Sequence, residues 1–267
     1  MRRSPRIHVR ATALAVAAAI TTAFVALPVL GVLVRTPWSR FLDEVSSPEA
    51  RTAIGLSLAT SLASAALAVA LGLPLAWVLA RRDFPGRRLV RAVVAVPMVL
   101  PPVVAGVALL GTFGRTNGIV GRALFDATGL QLTFSPLGVV VAQCFVALPF
   151  FVLSAEAGIG QVDGRYEDVA ATLGASPGFV ARAVVLRLAA PAVAAGAVLA
   201  WARALGEFGA TITFAGNVEG RTQTLPLAVY LLLERNQGAA YALSAVLVGV
   251  AVVVLVLLRG RWLGVRR

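Results

Sequence analysis

Six long apolar stretches alternate with polar segments along this chain, at 11–34, 52–80, 92–113, 135–155, 192–214 and 239–258. A helix that crosses the hydrocarbon core of a bilayer needs about 20 mostly apolar residues. Each stretch meets that length, so the pattern predicts an all-α membrane protein with about six transmembrane helices. The second stretch is long enough to tilt or to extend beyond the lipid. The fifth is interrupted by Arg203 and Glu207. The first has a basic lead-in, Met1 to Arg10, as a secretory signal would. Its apolar run exceeds the roughly 7–15 residues of a signal core, and further spans follow, so an uncleaved first helix is expected.

Small residues and prolines add detail to the spans. Ser57 and Ser61 lie one helical turn apart, as do Ser64, Ala68 and Gly72. Such rows let helix backbones approach closely in lipid, as static packing or as a sliding interface. Pro28, Pro74, Pro97, Pro101, Pro102 and Pro149 all fall inside spans. Each removes a backbone donor and can kink its helix, which neighbouring helices compensate in a membrane. The trio Pro97, Pro101 and Pro102 predicts an irregular third helix. Irregular helices often line transporter pathways, although kinked packing alone would also explain them.

Composition agrees with a lipid environment. Of 267 residues, 59% are hydrophobic and 13% charged, and the mean hydropathy is +0.87. A soluble domain carries about 25% charge and needs a polar exterior that this chain lacks. The net charge is +12, and all 24 basic residues are Arg. A GC-rich genome accounts for Arg in place of Lys. Nucleic-acid binding fits poorly, because the arginines stand in short clusters between apolar runs.

Charge placement sets an orientation. With the N-terminus inside, segments 1–10, 81–91, 156–191 and 259–267 hold 16 Arg, against 7 in 35–51, 114–134 and 215–238. Positive residues stay on the cytoplasmic side, so both termini are expected there. The cluster Arg81, Arg82, Arg87, Arg88 and Arg91 is the strongest anchor.

Several chemistries are excluded. Without Lys there is no phosphate-binding P-loop and no Schiff base. A single Cys144 and a single His8 allow neither a thiol pair nor a zinc cluster. Cys144 sits in an apolar run and reads as a packed small residue; His8 sits in the basic tail and reads as solvated. No His falls in any span, and neither a His-Glu-x-x-His motif nor a Gly-x-Ser-x-Gly elbow occurs, which argues against an intramembrane enzyme.

The segment 156–191 is different from its surroundings. It contains Glu156, Asp163, Glu167 and Asp168. Asp163 is placed to cap a helix, whose first turn Glu167 and Asp168 suit electrostatically. Val169, Ala170 and Leu173 make a narrow apolar face. Gly174 is placed to end the helix, and Ser176 with Pro177 to start another. A short amphipathic helix with an acidic start suits a groove in a partner better than a membrane surface, which favours a basic face.

This loop resembles the signature of ABC importer permeases: Glu-Ala-Ala, three residues, then Gly. It aligns as Asp168-Val169-Ala170, Ala171-Thr172-Leu173 and Gly174, with Ser176 and the run to Pro191 continuing the match. Asp168 replaces the usual Glu and keeps its charge. Arg187 stands where Pro is common, so the entry to the fifth span is expected to be less kinked. A second stretch, Arg203 to Asn217 followed by Gly220-Arg-Thr-Gln-Thr-Leu-Pro226, is similar to molybdate permeases. Sulfate and thiosulfate permeases share its Gly-Glu-aromatic-Gly and Gly-Asn parts.

The resemblance implies a type I ABC importer permease fold in a bacterial cell membrane. Its permease domain would span 52–258, with the coupling loop at 156–191. Segment 1–51 would hold the tail, first helix and outer loop, and 259–267 a cytoplasmic tail. It implies a permease homodimer, a cytoplasmic ATPase dimer that uses ATP and Mg, and an extracytoplasmic oxyanion-binding protein, with no cofactor on this chain. Glu167, Asp168, Val169, Ala170, Ala171, Leu173, Gly174 and Ser176 would form the coupling contact. Tungstate, sulfate or thiosulfate is the alternative substrate. A simple channel would not need the acidic loop.

The fifth span and the segment just after it hold the candidates for the pathway or gate: Arg203, Glu207, Thr211 and Asn217. A charge at mid-membrane costs at least about 2.5 kcal/mol, and Glu207 lies four residues from Arg203, so the two can pair. A gate and a structural lock are equally compatible with this spacing. Thr213, Arg221, Thr222, Gln223 and Thr224 add polar groups suited to an acceptor-only oxyanion. Ordinary loop polarity would supply them too, so no ligand role is assigned.

Overall fold

The computed structural model describes residues 6–262, with side chains over 12–256. His8 and the arginines of both tails lie outside the described side chains. All elements among the described residues are helical. In chain order they are α1 (Arg6–Arg35), α2 (Phe41–Ser46), α3 (Pro48–Arg81), α4 (Arg87–Val99), α5 (Pro102–Phe113), α6 (Gly121–Thr128), α7 (Pro136–Gly160) and α8 (Arg165–Thr172). There follow α9 (Pro177–Leu205), α10 (Gly209–Phe214), α11 (Leu225–Arg235) and α12 (Gln237–Trp262). Helices α1, α3, α7, α9 and α12 are each long and apolar enough to cross a membrane. The pair α4 and α5, counted as one broken span, makes six.

Three of the long helices start in the same way. Ser47, Ser135 and Ser176 each accept a backbone N–H from the first turn, and Pro48, Pro136 and Pro177 follow at the first helical position. Proline loses nothing there, because that N–H has no partner inside the helix.

Helices α3, α7 and α9 form the core. Phe151, Val152, Ala155 and Ile159 of α7 pack against Ala76 and Leu79 of α3 and Ala189, Ala200 and Ala204 of α9. The small-residue row on α3 faces this core, with Ser57, Ser61, Ser64 and Ala68 fully buried. Its serines are fixed by hydrogen bonds across helices. Trp201 Nε1 donates to Ser61 Oγ (3.0 Å), and the Leu225 N–H donates to Ser57 Oγ (2.6 Å). Ser64 Oγ donates to the Val140 carbonyl (3.0 Å). A Cβ at Gly72 would lie 2.6 Å from the Phe151 ring, so this approach requires glycine.

The third span is more broken than its prolines predict. The path bends by 118° between α4 and α5, across Leu100 and Pro101. Pro101 and Pro102 supply no N–H, so the ladder cannot bridge that point. Helix α1 stands apart, with Leu14, Phe24 and Val34 71%, 75% and 82% exposed, as a lipid-facing helix requires. Its end is tied to α12, where Arg35 lies over the Tyr241 ring.

The fifth span corrects the sequence reading in both register and extent. Its helix begins at Pro177, not 192, and stops at Leu205, not 214. Arg203 is therefore near the end of the helix and not at its middle. The Trp201–Ser61 bond places that end about two and a half turns short of the Pro48 end of α3. Residues 206–214 form a separate feature, in which α10 packs against α5. The entry is also not a regular helix, despite Arg187 in place of proline, because Val180–Val185 is wound as a π-helix.

Candidate functional site

The loop between α7 and α9 folds as its residue types dictate. Asp163 Oδ1 accepts the Arg165 N–H (3.0 Å), ahead of the N-cap position, which Gly164 occupies. Gly174 has φ +82°. Its N–H bonds to the Ala171 carbonyl (2.9 Å) and that of Ala175 to Ala170 (3.0 Å). This paired closure satisfies the last carbonyls of α8, and its left-handed residue favours glycine. Ser176 then accepts the Phe179 N–H and starts α9.

Helix α8 has no buried residue. Val169 and Leu173 are 59% and 82% exposed, while Ala170 turns towards the core. Asp168, Ala171, Gly174 and Ser176 are exposed as well. Tyr166, 57% exposed, lies three residues before Val169 and extends the apolar face. The sequence reading missed it, although the same spacing would have found it.

Glu167 does not share this outward face. Its Oε1 pairs with Arg81 Nη2 at 3.0 Å, and the same Nη2 donates to the Val162 carbonyl at 2.9 Å. Arg91 likewise pairs with Glu156, its Nε donating at 3.0 Å. Two arginines of the basic cluster are thus engaged with the acids of the α7–α8 segment. Charge counting read the two groups separately and could not pair them.

The second polar region is built differently. Glu207 is 1% exposed and uses both oxygens: Oε2 pairs with Arg203 Nη1 at 2.6 Å, and Oε1 accepts the Ala210 N–H at 2.7 Å. The carboxylate both neutralises Arg203 and caps α10. Gly209 permits the approach, since a Cβ there would lie 2.5 Å from Pro102 Cβ. Gly106 does the same from α5, where a Cβ would lie 2.5 Å from Thr213 Cβ.

The remaining polar residues are mostly spent within the chain. Thr213 Oγ1 donates to the Gly209 carbonyl, and Thr222 Oγ1 accepts the Val218 N–H. Thr211 and Thr224 are fully buried, and their hydroxyls have no partner within the chain. Asn217 Oδ1 is also unpaired, but it is an acceptor and does not suit an anion. Among the described residues, no hydrogen bond or ion pair joins Thr211 or Asn217 to Arg203. A cavity of about 430 Å³ opens near the Pro48 end of α3, where Glu44, Glu49 and Glu219 outnumber the one basic lining residue, Arg235. Those carboxylates would repel an oxyanion.

Comparison with known proteins places the chain. Residues 68–265 match the family described as binding-protein-dependent transport system inner membrane component. The molybdenum transport system permease protein ModB of Mycobacterium tuberculosis is 49% identical, over 86% of this chain and 87% of that protein. The Escherichia coli protein of the same description is 39% identical, over 79% and 92%. The sulfate transport system permease protein CysT of Salmonella typhimurium is 34% identical, over 82% and 78%. The fold is that of a chain in the crystal structure of a bacterial ABC transporter involved in the import of the acidic polysaccharide alginate, with a TM-score of 0.77, 17% identity and 98% of both chains covered. The chain belongs to the binding-protein-dependent transport system inner membrane components, the multi-pass permease subunits of ABC transporters.

Proposed function

We propose that this chain forms the translocation pathway for molybdate in an ATP-driven importer. One observation carries the substrate: relatives described as molybdenum permeases are 49% and 39% identical, ahead of the sulfate permease at 34%. Sulfate is the second reading, and the same ordering ranks it lower.

In this reading two copies of the chain, with permease domains at 52–258, enclose the pathway. Both termini lie in the cytoplasm. The Arg81 end of α3 faces a pair of ATPase subunits, which use ATP and Mg. The Pro48 end faces an extracytoplasmic oxyanion-binding protein. Asp168, Val169, Ala171, Leu173 and Gly174 dock in the ATPase, a role supported by the exposure of α8 and by Tyr166 beside it. Ala170 and Glu167 hold the helix in place, and Ser176 starts the helix that follows the docked turn. ATP-driven closure shifts the permease between inward-open and outward-open states, and the docked helix conveys the bias. The break after Leu205, fixed by Arg203 and Glu207, is where α9 gives way to the segment carrying Thr211 and Asn217.

Uptake of labelled molybdate into proteoliposomes tests the reading. The vesicles contain the permease with its co-purified ATPase, and the binding protein is added outside. ATP-dependent molybdate uptake that excess sulfate does not compete away is expected. Uptake of sulfate in preference to molybdate would overturn the substrate assignment.

A further inference from the structure

Helix α8 has no fully buried residue, so little packing ties it to the bundle. What joins it to the bundle is specific. Ala170 and Ala175 rest on the core formed by α3, α7 and α9. The polar tie is Arg81, the last residue of α3, with a side chain only 17% exposed. One guanidinium nitrogen holds both the Glu167 carboxylate (3.0 Å) and the Val162 carbonyl (2.9 Å). Arg81 thus grips α8 and the turn before it together. Nη2 carries two hydrogens, one for each contact, and the nitrogen of lysine, on a stem one atom shorter, stops short of both.

Helix α3 leads away from this grip. It is one unbroken helix of 34 residues, about 51 Å long. Further along it, Ser61 receives the Trp201 indole of α9. One turn beyond, Ser57 receives the Leu225 N–H at the start of α11. A displacement of α8 therefore has a continuous route to both flanks of the polar segment 206–224. The route runs from carboxylate to guanidinium, along a rigid helix, to two serine hydrogen bonds. The second acid–arginine pair, Glu156 with Arg91, joins α7 to α4 and does not touch α8.

We propose that Arg81 is a positioning residue that converts movement of α8 into movement of α3, and so sets how much transport each ATP hydrolysed yields. This rests on the reading of α8 as the ATPase contact. Arg81 itself touches neither ATPase nor anion in this scheme; it acts through Glu167.

The test uses the assembled transporter in proteoliposomes, with molybdate uptake and ATP hydrolysis measured on the same sample. Arg81→Ala, Arg81→Lys, Glu167→Gln and the exchange Arg81→Glu with Glu167→Arg are compared. Each single change is expected to retain the ATPase on co-purification and to keep hydrolysing ATP. Molybdate moved per ATP should fall about threefold to tenfold, the range open to a partly exposed ion pair and one backbone hydrogen bond. The exchange should recover part of that loss, since it restores the pair but not the bond to Val162. An unchanged ratio in all single variants, or an exchange no better than either single, overturns the proposal. Should Arg81→Ala fail to assemble, Glu167→Gln decides alone, because Glu167 is one-third exposed and carries no core packing. Cysteines at position 173 and in the ATPase groove separate the two readings. Crosslinking with an unchanged ratio removes the role of Arg81 only, whereas no crosslinking in the otherwise unaltered protein removes the docking of α8.

Discussion

Two polar interruptions break the apolar pattern of this chain, and the fold treats them in opposite ways. The segment 161–176, around α8, presents its polar residues other than Glu167, and even Val169 and Leu173, to solvent. The segment 206–224, around α10, folds back into the bundle and buries Glu207, Thr211, Thr222 and Thr224. Water satisfies the first. The second must satisfy itself, and Glu207 does most of that by neutralising Arg203 and capping α10 with separate oxygens. Burial turns polarity into a structural constraint, while exposure leaves it free for a partner.

Substitutions that remove this contrast test it. The largest effect on stability is expected from Glu207→Ala. It strands the Arg203 charge and uncaps α10, at a cost of about 3–5 kcal/mol. Thermal melting of the detergent-purified protein should show a large drop or no folded protein. A melting temperature within a degree or two of the parent would mean that the pair is dispensable.

Glycine substitutions come next. Gly209→Ala and Gly106→Ala place a methyl group 2.5 Å from Pro102 and Thr213, an overpacking cost of about 1–3 kcal/mol. Gly174→Ala meets nothing within 4 Å, and only its φ of +82° is strained, at about 1 kcal/mol. The first two should lower the melting temperature more than the third. Gly174→Ala should act on coupled transport instead, by altering where α8 ends. Full coupling in that variant would count against the role given to this turn.

Changes on the exposed face should hardly register in stability. Val169→Asp and Leu173→Asp are expected to stay within about 0.5 kcal/mol of the parent, as surface changes do. They should nevertheless abolish co-purification with the ATPase. Retained ATPase would move the docking surface elsewhere. The smallest effect is expected from Thr211→Val. It replaces an unpartnered buried hydroxyl with a methyl group of similar shape, which is neutral or slightly stabilising. A fall in molybdate uptake without a fall in stability would show that this hydroxyl has a partner in the working transporter.

Much of this was legible in the sequence. Hydropathy located every span to within a few residues, apart from the fifth. Ser176, Pro177 and Gly174 marked the ends of α8 and α9 by local chemistry alone, and the family signature fell on that same turn. The bend in the third span followed from Pro97, Pro101 and Pro102 in kind, though not in size. Tyr166 obeyed the same helical spacing as Val169, three residues before it, and was overlooked on the apolar face.

What the sequence by itself determined is local: helix lengths set by apolar runs, and starts and stops set by serine, proline and glycine. These depend on neighbours a few residues away, so a linear reading reaches them. What only the tertiary structure decided is which polar groups meet. Arg203 could have paired with another helix and Glu207 could have faced a pathway, yet the fold buries Glu207 between Arg203 and the first turn of α10. Arg81 read as a charge at the membrane edge until the fold brought Val162 and Glu167, 81 and 86 residues away, onto its guanidinium. Pairing of charges is fixed by distances of a few ångströms between distant segments, and only the packed chain sets those.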